Sequence, residues 1–333
     1  MGLFCALLVV LHHFAVQADD PFSSLGLFHV LLGQSPHCVQ GGGLVYIAVP
    51  FFFVCSGYFA ETRINCQNWY RALVIGRIKS VLLPYVIWIA ISIIFMCMYD
   101  WLSSRQLYFG DISSLIKGSG LYLPRIENPV ASQLWYLRSL FMFILLSPVI
   151  RRLTNVFGLA LMFVAYAVIS PFDNGVANDV FRYGLPLEGL FFFALGMRFR
   201  FRPLEVRSPK KLGVMLSLGA GILLFTRYVL VVNGYSVSLY VDWAATLLLL
   251  PAIWMLMPCG QLPTTVYRFQ FPIFVLHRYV LLPLGGLFRH CPCVEGWNKY
   301  ALIMSLSILI PATITLGLKR IPRMGSVMFG GRV

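Results

Sequence analysis

Long apolar runs recur along the whole chain, and short basic loops separate them. A helix needs about 20 apolar residues to cross the hydrocarbon core of a bilayer, and several runs reach that length. A membrane β-barrel would instead alternate apolar and polar residues over about ten positions, so this class is excluded. The sequence predicts an all-α, polytopic integral membrane protein with about ten transmembrane helices in a single domain over residues 1–333. The candidate spans are 2–18, 44–60, 81–99, 136–150, 156–171, 185–198, 211–231, 238–257, 270–288 and 300–318.

The composition agrees with a membrane class. Apolar residues make up 59% of the chain and charged residues only 11%, whereas a soluble domain has about 25% charged residues. The net charge of +14 could indicate a nucleic-acid partner. The basic residues lie in short loops between apolar runs, however, which is the orientation signal of membrane proteins. We therefore expect the lipid bilayer as a partner and no nucleic acid.

The distribution of charge also predicts the orientation of the chain. When the N-terminus is placed in the cytoplasm and the runs alternate sides, most of the 26 Lys and Arg residues fall on the inner side. Most acidic residues then fall outside. The positive-inside rule therefore predicts that both termini are cytoplasmic. Pro148 and the Arg151-Arg152 pair interrupt the apolar region 136–171, which indicates two helices there.

Three cysteines fall in predicted outer loops. Cys38 could form a disulfide with Cys291 or Cys293 if that side is oxidising. His37 and His290 stand next to these cysteines, so a metal site is an alternative. The ligands would come from two distant loops, and we expect no metal.

The first apolar run ends in two adjacent histidines, His12 and His13. Imidazole titrates near neutral pH, so it can take a proton from a hydroxyl and later return it. An ionisable residue inside a membrane span is by default a candidate functional residue. The alternative is a polar helix end at the membrane interface.

Further polar side chains stand at the ends of apolar runs or within them. They are Ser56-Gly57-Tyr58, the basic residues Arg71, Arg77, Lys79 and Arg151, Trp135 and Arg138 at the start of the fourth run, and His277-Arg278 in the ninth. The basic residues could be ordinary orientation signals, Trp135 could belong to the interfacial aromatic belt, and His277 could be a packed helix histidine. Ser56 as a nucleophile would need a base, and the sequence places none beside it.

These motifs, in this order, resemble the acyltransferase-3 family of integral membrane O-acyltransferases. The matching segments are VVLHH at 9–13, FFVCSGY at 52–58, RIKSVLLPY at 77–85, LWYLRSLF at 134–141 and FPIFVLH at 271–277. The resemblance covers nearly the whole chain, and the C-terminal tail is similar to that of short bacterial members. It implies about ten helices and transfer of an acetyl group from cytoplasmic acetyl-CoA to an envelope carbohydrate across the bacterial inner (cytoplasmic) membrane.

The chain departs from the family pattern at two arginines. The family has an arginine eleven positions before the helix-one histidine, which falls on Gly2 if the histidine is His13 and on Met1 if it is His12. We expect one of two explanations. Either the true start lies upstream, which would restore the arginine only if the family's histidine is His12, or the chain has lost this arginine. In the family's second pattern, Arg77 matches the first arginine and Ser80 replaces the second, and Lys79 can compensate only in part.

The resemblance implies roles for individual residues. His13, with His12 as the alternative, would be the general base or would carry the acyl group itself. Cations would bind the phosphates of acetyl-CoA, with Ser56 and Gly57 near its pantetheine arm. The residues assigned to acetyl-CoA are Arg77, Lys79, Arg71, Arg151, Ser56 and Gly57. Those assigned to the glycan or lipid-linked sugar acceptor are Trp135, Arg138 and His277.

The sequence therefore predicts an O-acetyltransferase of a cell-envelope or exported carbohydrate. The alternative is a non-catalytic membrane protein, such as a glycan transporter or a degenerate acyltransferase. The missing helix-one arginine favours this alternative, whereas the retained histidine and Arg77 favour the enzyme. A transporter should have broken helices and paired charges at mid-membrane, and the sequence has few charges within its spans.

Overall fold

Every regular element in the described part of the chain is a helix, as the apolar runs predict. The structure is a computed structural model that describes residues 2–17, 44–61, 68–104, 132–169, 186–201, 208–233, 239–256, 268–289, 296–318 and 320–331. Backbone N–H and C=O groups in lipid must be satisfied within the chain, and a helix does this with local bonds alone. The all-α prediction is confirmed for these residues.

The helices are numbered in chain order. They are α1 (Gly2–Gln17), α2 (Ala48–Glu61), α3 (Trp69–Arg77), α4 (Leu83–Ser104), α5 (Trp135–Leu145), α6 (Ser147–Arg152), α7 (Val156–Ile169), α8 (Leu187–Phe201), α9 (Pro209–Val232), α10 (Leu239–Leu256), α11 (Gln270–Arg289), α12 (Gly296–Leu318) and α13 (Pro322–Phe329). Short 3-10 turns at Leu44–Ile47 and Ser132–Leu134 precede α2 and α5, and a π-helical turn at Ile78–Leu82 joins α3 to α4.

Several helices are suited to cross a membrane. Within the described residues, five are long and apolar enough: Leu44–Glu61, Trp69–Phe95, Pro209–Leu230, Gln270–Phe288 and Ala301–Leu318. Shorter apolar helices are Gly2–His13, Trp135–Leu145, Val156–Val168 and Tyr240–Leu256. The total of ten spans, the cytoplasmic termini and the single domain stay predictions. The loops that contain Cys38, Cys291 and Cys293 lie outside the described residues.

The apolar region 136–171 is broken near the expected place. Helix α5 ends at Leu145, α6 begins at Ser147, and α7 follows from Val156. The side chain of Asn155 accepts a hydrogen bond from the backbone N–H of Gly158 at 2.7 Å, which caps the start of α7. Two helices were predicted here, and the short α6 around Pro148 is an additional piece.

The third predicted span, 81–99, begins too late. Helical structure starts at Trp69 and continues to Ser104 through the π turn. Pro84 lacks the N–H that the carbonyl of Ser80 would receive in an α-helix, so the regular bonding pattern cannot hold there. A π turn at Ile78–Leu82 comes just before this proline, and such turns occur frequently at functional sites. The basic residues before residue 81 therefore belong to the same helical stretch rather than to a loop.

The chain divides into two compact units. The first unit contains Met1–Phe52 and Leu204–Ala312, and the second contains Phe53–Pro203 and Thr313–Val333. In the first unit α1 packs on α11, and α9 packs on α10. The α9–α10 pair encloses an ion pair, with Nε of Arg227 at 2.8 Å from Oδ1 of Asp242 and side chains only 1% and 5% exposed. A buried charge is tolerated when it is paired, so this contact joins the two helices.

The second unit has a core of aromatic rings. Phe53 packs against Tyr136 and Phe143 with ring centroids at 4.7 and 5.3 Å, and Phe143 packs against Phe193 at 5.7 Å. Tilted pairs at such distances are favourable beyond the burial of their area. This core holds together α2, α5 and α8.

Helices α2 and α8 also cross at two glycines. A Cβ on Gly57 would lie 2.0 Å from the carbonyl oxygen of Phe193, and one on Gly196 would lie 2.0 Å from that of Val54. Small residues at such crossings let two helix backbones approach closely. The backbone of α8 therefore occupies the space that a side chain at position 57 would need.

The C-terminal helix α13 packs on α4 and on the π turn. The indole Nε1 of Trp88 donates a hydrogen bond to the carbonyl of Met328 at 2.9 Å, and the ring of Phe329 is fully buried near Trp88. Gly330 follows with φ +62° and lies against the backbone of Ser80. A left-handed residue ends a helix most cheaply when it is glycine. The tail thus lies directly beside the π turn.

Candidate active site

Helices α1 and α11 run in the same direction in the first unit and bring together side chains that are 264 positions apart in the chain. Gly2 at the start of α1 lies against the side chain of Gln270 at the start of α11. Further along the same pair, the His13 and His277 rings are neighbours, as ring centroids 5.2 Å apart show. This parallel packing places an ionisable cluster inside an apolar helix pair.

The cluster consists of His12, His13, His277 and Arg278. Nη1 of Arg278 lies 3.1 Å from Nδ1 of His13, within hydrogen-bonding distance. The rings of His13 and His277 are stacked with an interplanar angle of 26°. The ring of His12 stands edge-on to that of His13, with centroids 5.2 Å apart. We refer to these four residues as the histidine cluster.

The ring of His277 forms a hydrogen bond with the backbone of its own helix. Its Nδ1 lies 3.1 Å from the backbone carbonyl of Ile273, one turn earlier in α11, and its side chain is fully buried. The ring of Phe274 lies beside it at 6.5 Å between centroids. His12 and His13 are half-buried instead. The two histidines of α1 are therefore the more accessible members of the cluster.

The histidine cluster has the groups that acyl transfer needs. Imidazole nitrogens can accept or donate a proton, and a guanidinium beside them can stabilise developing negative charge. Arg278 is 9% exposed and was not assigned a role from the sequence. It could have been found there, because an arginine inside an apolar run is itself a functional signal. Only the structure shows that its partner is His13.

The basic residues predicted to bind acetyl-CoA belong to the second unit. Arg71 and Lys79 are exposed, and Arg77 is half-buried. Lys79 lies in the π turn, and Arg77 is the last residue before it. Side chains near this turn do not follow the regular 3.6-residue register, so their directions could not be read from the sequence pattern.

Arg151 makes an ion pair in the same unit. Its Nε lies 3.1 Å from Oε1 of Glu61, and the side chains are 38% and 5% exposed. Arg151 stands in the last turn of α6, and Glu61 is the last residue of α2. The pair joins two helix ends, and Arg151 keeps part of its surface accessible.

Ser56 and Gly57 make packing contacts on α2. The hydroxyls of Ser56 and Tyr136 are 3.0 Å apart and form a hydrogen bond. This contact gives Ser56 a structural partner on α5, and Gly57 lies against the backbone of Phe193. Their predicted role at the pantetheine arm stays a prediction.

The two candidates at the start of α5 are half-buried. Trp135 packs near Phe53, with ring centroids 6.1 Å apart. Arg138, one turn later, interacts electrostatically with the hydroxyl of Tyr85. These contacts place both residues beside the aromatic core, and their predicted role in binding the acceptor stays a prediction.

Comparison with known proteins adds one match. A family model described as "Acyltransferase domain" matches residues 3–316. No curated protein and no solved structure matches the chain. The match includes α1, with both of its histidines, and α11, with His277 and Arg278. The chain belongs to the acyltransferase-3 family of membrane acyltransferases.

Proposed function

We propose that this membrane acyltransferase moves an acetyl group from cytoplasmic acetyl-CoA to a hydroxyl of a cell-envelope or exported carbohydrate, or of its lipid-linked precursor. The observation that supports it most directly is the contact between His13 and Arg278 within an apolar helix pair. A buried ionisable pair has a cost in a membrane helix, so it is expected where it serves a reaction. The enzyme would reside in the bacterial inner membrane, where the donor is available on one side.

The proposal gives different roles to the histidines and to the basic residues. The histidine cluster performs the transfer. Cations bind the phosphates of the donor, because guanidinium and ammonium groups form charge-assisted hydrogen bonds with phosphate. Arg77 and Lys79 at the π turn are the main candidates, with Arg71 and Arg151 behind them. Trp135 and Arg138 would contact the acceptor sugar, by stacking and by hydrogen bonding.

Glycan acetylation tests the proposal. Cells of the native host would express the parent chain, His13→Ala, His12→Ala or Leu218→Ala, and envelope glycans would be analysed by mass spectrometry. Leu218 is a suitable control because it is 64% exposed on α9, a helix that contains none of the residues assigned to the transfer, the donor or the acceptor. We expect acetylation with the parent and the control and its loss with one histidine variant at equal protein level. A parent that adds no acetyl would contradict the proposal.

One observation favours the alternative of a glycan transporter. The buried Arg227–Asp242 pair is a paired charge within apolar helices, which transporters use at their substrate sites. The pair lies near the end of α9 and in the first turn of α10, however, rather than at the middle of either helix. Uptake or export of the glycan without acetylation, lost in Asp242→Asn, would support the transporter.

A further inference from the structure

The hydrogen-bond partners of the two stacked histidines determine where each ring carries its hydrogen. Nδ1 of His13 lies 3.1 Å from Nη1 of Arg278. A guanidinium has five N–H donors and no acceptor, so Nδ1 of His13 must be the acceptor in this contact. The hydrogen of the neutral His13 ring is therefore on Nε2.

His277 has the opposite arrangement. Its Nδ1 lies 3.1 Å from the carbonyl of Ile273, and a carbonyl only accepts, so this nitrogen carries the hydrogen. Nε2 of His277 then carries the lone pair. Among the described residues, this buried Nε2 has no hydrogen-bond partner. A buried polar nitrogen without a partner is costly and needs an explanation, and a catalytic role is one that native structures supply.

The two tautomers suit different chemical tasks. In a Ser-His-Asp site, an acceptor at Nδ1 holds the hydrogen there, and the free lone pair on Nε2 acts as the base. His277 has this arrangement, with the Ile273 carbonyl as the acceptor. His13 has the reverse, since the lone pair that it would use as a base or nucleophile already accepts from Arg278. The other nitrogen of His13, Nε2, is then a hydrogen-bond donor.

We propose that His277, through Nε2, accepts the proton of the acceptor hydroxyl, while His13, through Nε2–H, donates a hydrogen bond to the carbonyl oxygen of the acyl thioester. Arg278 is the positioning residue that holds His13 in its donor tautomer. The inference rests on the proposed function, because it assumes an acyl thioester donor and a hydroxyl acceptor.

The transfer step balances with these groups. The acceptor oxygen bonds to the thioester carbon as its proton passes to Nε2 of His277, and the carbonyl oxygen becomes negatively charged beside His13. The carbon–sulfur bond then breaks and the oxygen ester forms. The leaving CoA thiolate takes the proton from His277, so both rings return to their starting tautomers. Because His277 is fully buried and its ring stacks on that of His13, access of the acceptor hydroxyl to Nε2 requires the cluster to open.

Nitrogen NMR of the parent protein tests the tautomers without any substrate. The full chain would be labelled at its six histidines with nitrogen-15 and measured in lipid bilayers. The signals of His13 and His277 are assigned by their disappearance in His13→Gln and His277→Asn. We expect a lone-pair nitrogen at Nδ1 of His13 and a protonated nitrogen at Nδ1 of His277. The reverse pattern at either ring would overturn the inference.

Arg278→Met tests the positioning role in the same experiment. Without the guanidinium, Nδ1 of His13 loses its donor, and we expect a mixture of both His13 tautomers while the His277 signals stay unchanged. A purely structural role for Arg278 would leave the His13 tautomer as in the parent, and that result would contradict the assignment.

Isosteric substitutions test the roles in catalysis. A glutamine amide can donate near the position of Nε2, and an asparagine amide can donate near that of Nδ1. With acetyl-CoA and host envelope glycans as substrates, His13→Gln should stay within about tenfold of the parent, while His13→Ala loses about 10²–10³-fold. His277→Asn keeps the bond to Ile273 but lacks the base, and it should lose about 10²–10⁴-fold.

Two outcomes separate the inference from the function on which it rests. If the parent is active, His13→Gln is as inactive as His13→Ala, and His277→Asn keeps the parent rate, then His13 is the base and the inference is wrong. If the parent itself transfers no acetyl, the proposed function fails, and the tautomers are still decided by the NMR measurement.

Discussion

The two units of the protein differ in the contacts that stand out in their interiors. The first unit encloses ionisable groups in apolar helices, with Arg227 against Asp242 and Arg278 against His13. In the second unit the rings of Phe53, Phe143 and Phe193 pack together, and the ion pair between Arg151 and Glu61 is partly exposed. These contacts of the first unit require specific polar partners, whereas the ring contacts of the second unit require complementary packing.

This difference indicates which substitutions should affect the protein most. A charged group in an apolar helix is stable only with a partner in good geometry, so each such group restricts the structure around it. Aromatic packing tolerates changes of similar volume, and polar contacts at its edge add little stability. We therefore expect variants in the first unit to have large effects that compensation can relieve, and polar variants in the second unit to have small ones.

The largest effect is expected at the buried ion pair. Asp242→Ala removes the carboxylate that lies 2.8 Å from the buried guanidinium of Arg227, and breaking a buried ion pair costs about 3–5 kcal/mol. We expect a marked loss of folded protein on heating, as measured by fluorescence-detected size-exclusion chromatography in detergent.

The double variant Arg227→Met with Asp242→Leu is the matched control. Apolar residues of similar volume often replace a buried ion pair without loss, so most of the stability should return. If the double variant is as unstable as Asp242→Ala, the defect comes from lost packing rather than from an unpaired charge.

A glycine in the second unit should have the next largest effect. In Gly57→Ala the new methyl group meets the backbone carbonyl of Phe193, which no side-chain rotation can relieve. Overpacking of this kind costs about 1–3 kcal/mol, and the thermal-stability assay measures it. Gly221→Ala is the control, since a Cβ there meets no atom within 4 Å. Equal behaviour of the two variants would mean that α2 and α8 do not cross closely.

The hydroxyl pair on α2 and α5 should have a smaller effect. Ser56→Ala and Tyr136→Phe each remove one partner of the same hydrogen bond, and each should cost about 1 kcal/mol. The double variant should cost no more than about the larger single value, because the two changes remove one interaction. Additive costs would show that the hydroxyls act independently. A loss of transferase activity in Ser56→Ala, with stability retained, would support its predicted role at the donor.

The smallest stability change is expected at the half-exposed ion pair. Glu61→Gln keeps the shape of the side chain and should change the free energy of unfolding by less than about 1 kcal/mol, because water can solvate Arg151. The change also releases Arg151 from its carboxylate. If this guanidinium binds the donor's phosphates, the KM for acetyl-CoA should fall. If the KM for acetyl-CoA stays at the parent value in both Glu61→Gln and Arg151→Gln, Arg151 does not bind the donor.

Much of the fold class was predictable because lipid restricts the choices available to a backbone. Apolar runs in a membrane must become helices, and the break near Pro148 follows from the missing N–H of proline. The third span was predicted to begin at residue 81, although helical structure already begins at Trp69, and the reason for this error is local. The basic residues before residue 81 were assigned to a loop, although a π turn ahead of Pro84 lets the helix continue through them.

The sequence alone determined the membrane class, the family and the candidate histidines His12, His13 and His277, because these depend on residue types and their order. Only the tertiary structure decided that Arg278 contacts His13, that His277 bonds to its own helix, and that Arg227 pairs with Asp242. Helix periodicity describes one helix at a time. It does not say which face of α1 meets which face of α11, and the tautomer of His13 is set by the atom of α11 that faces it across this contact.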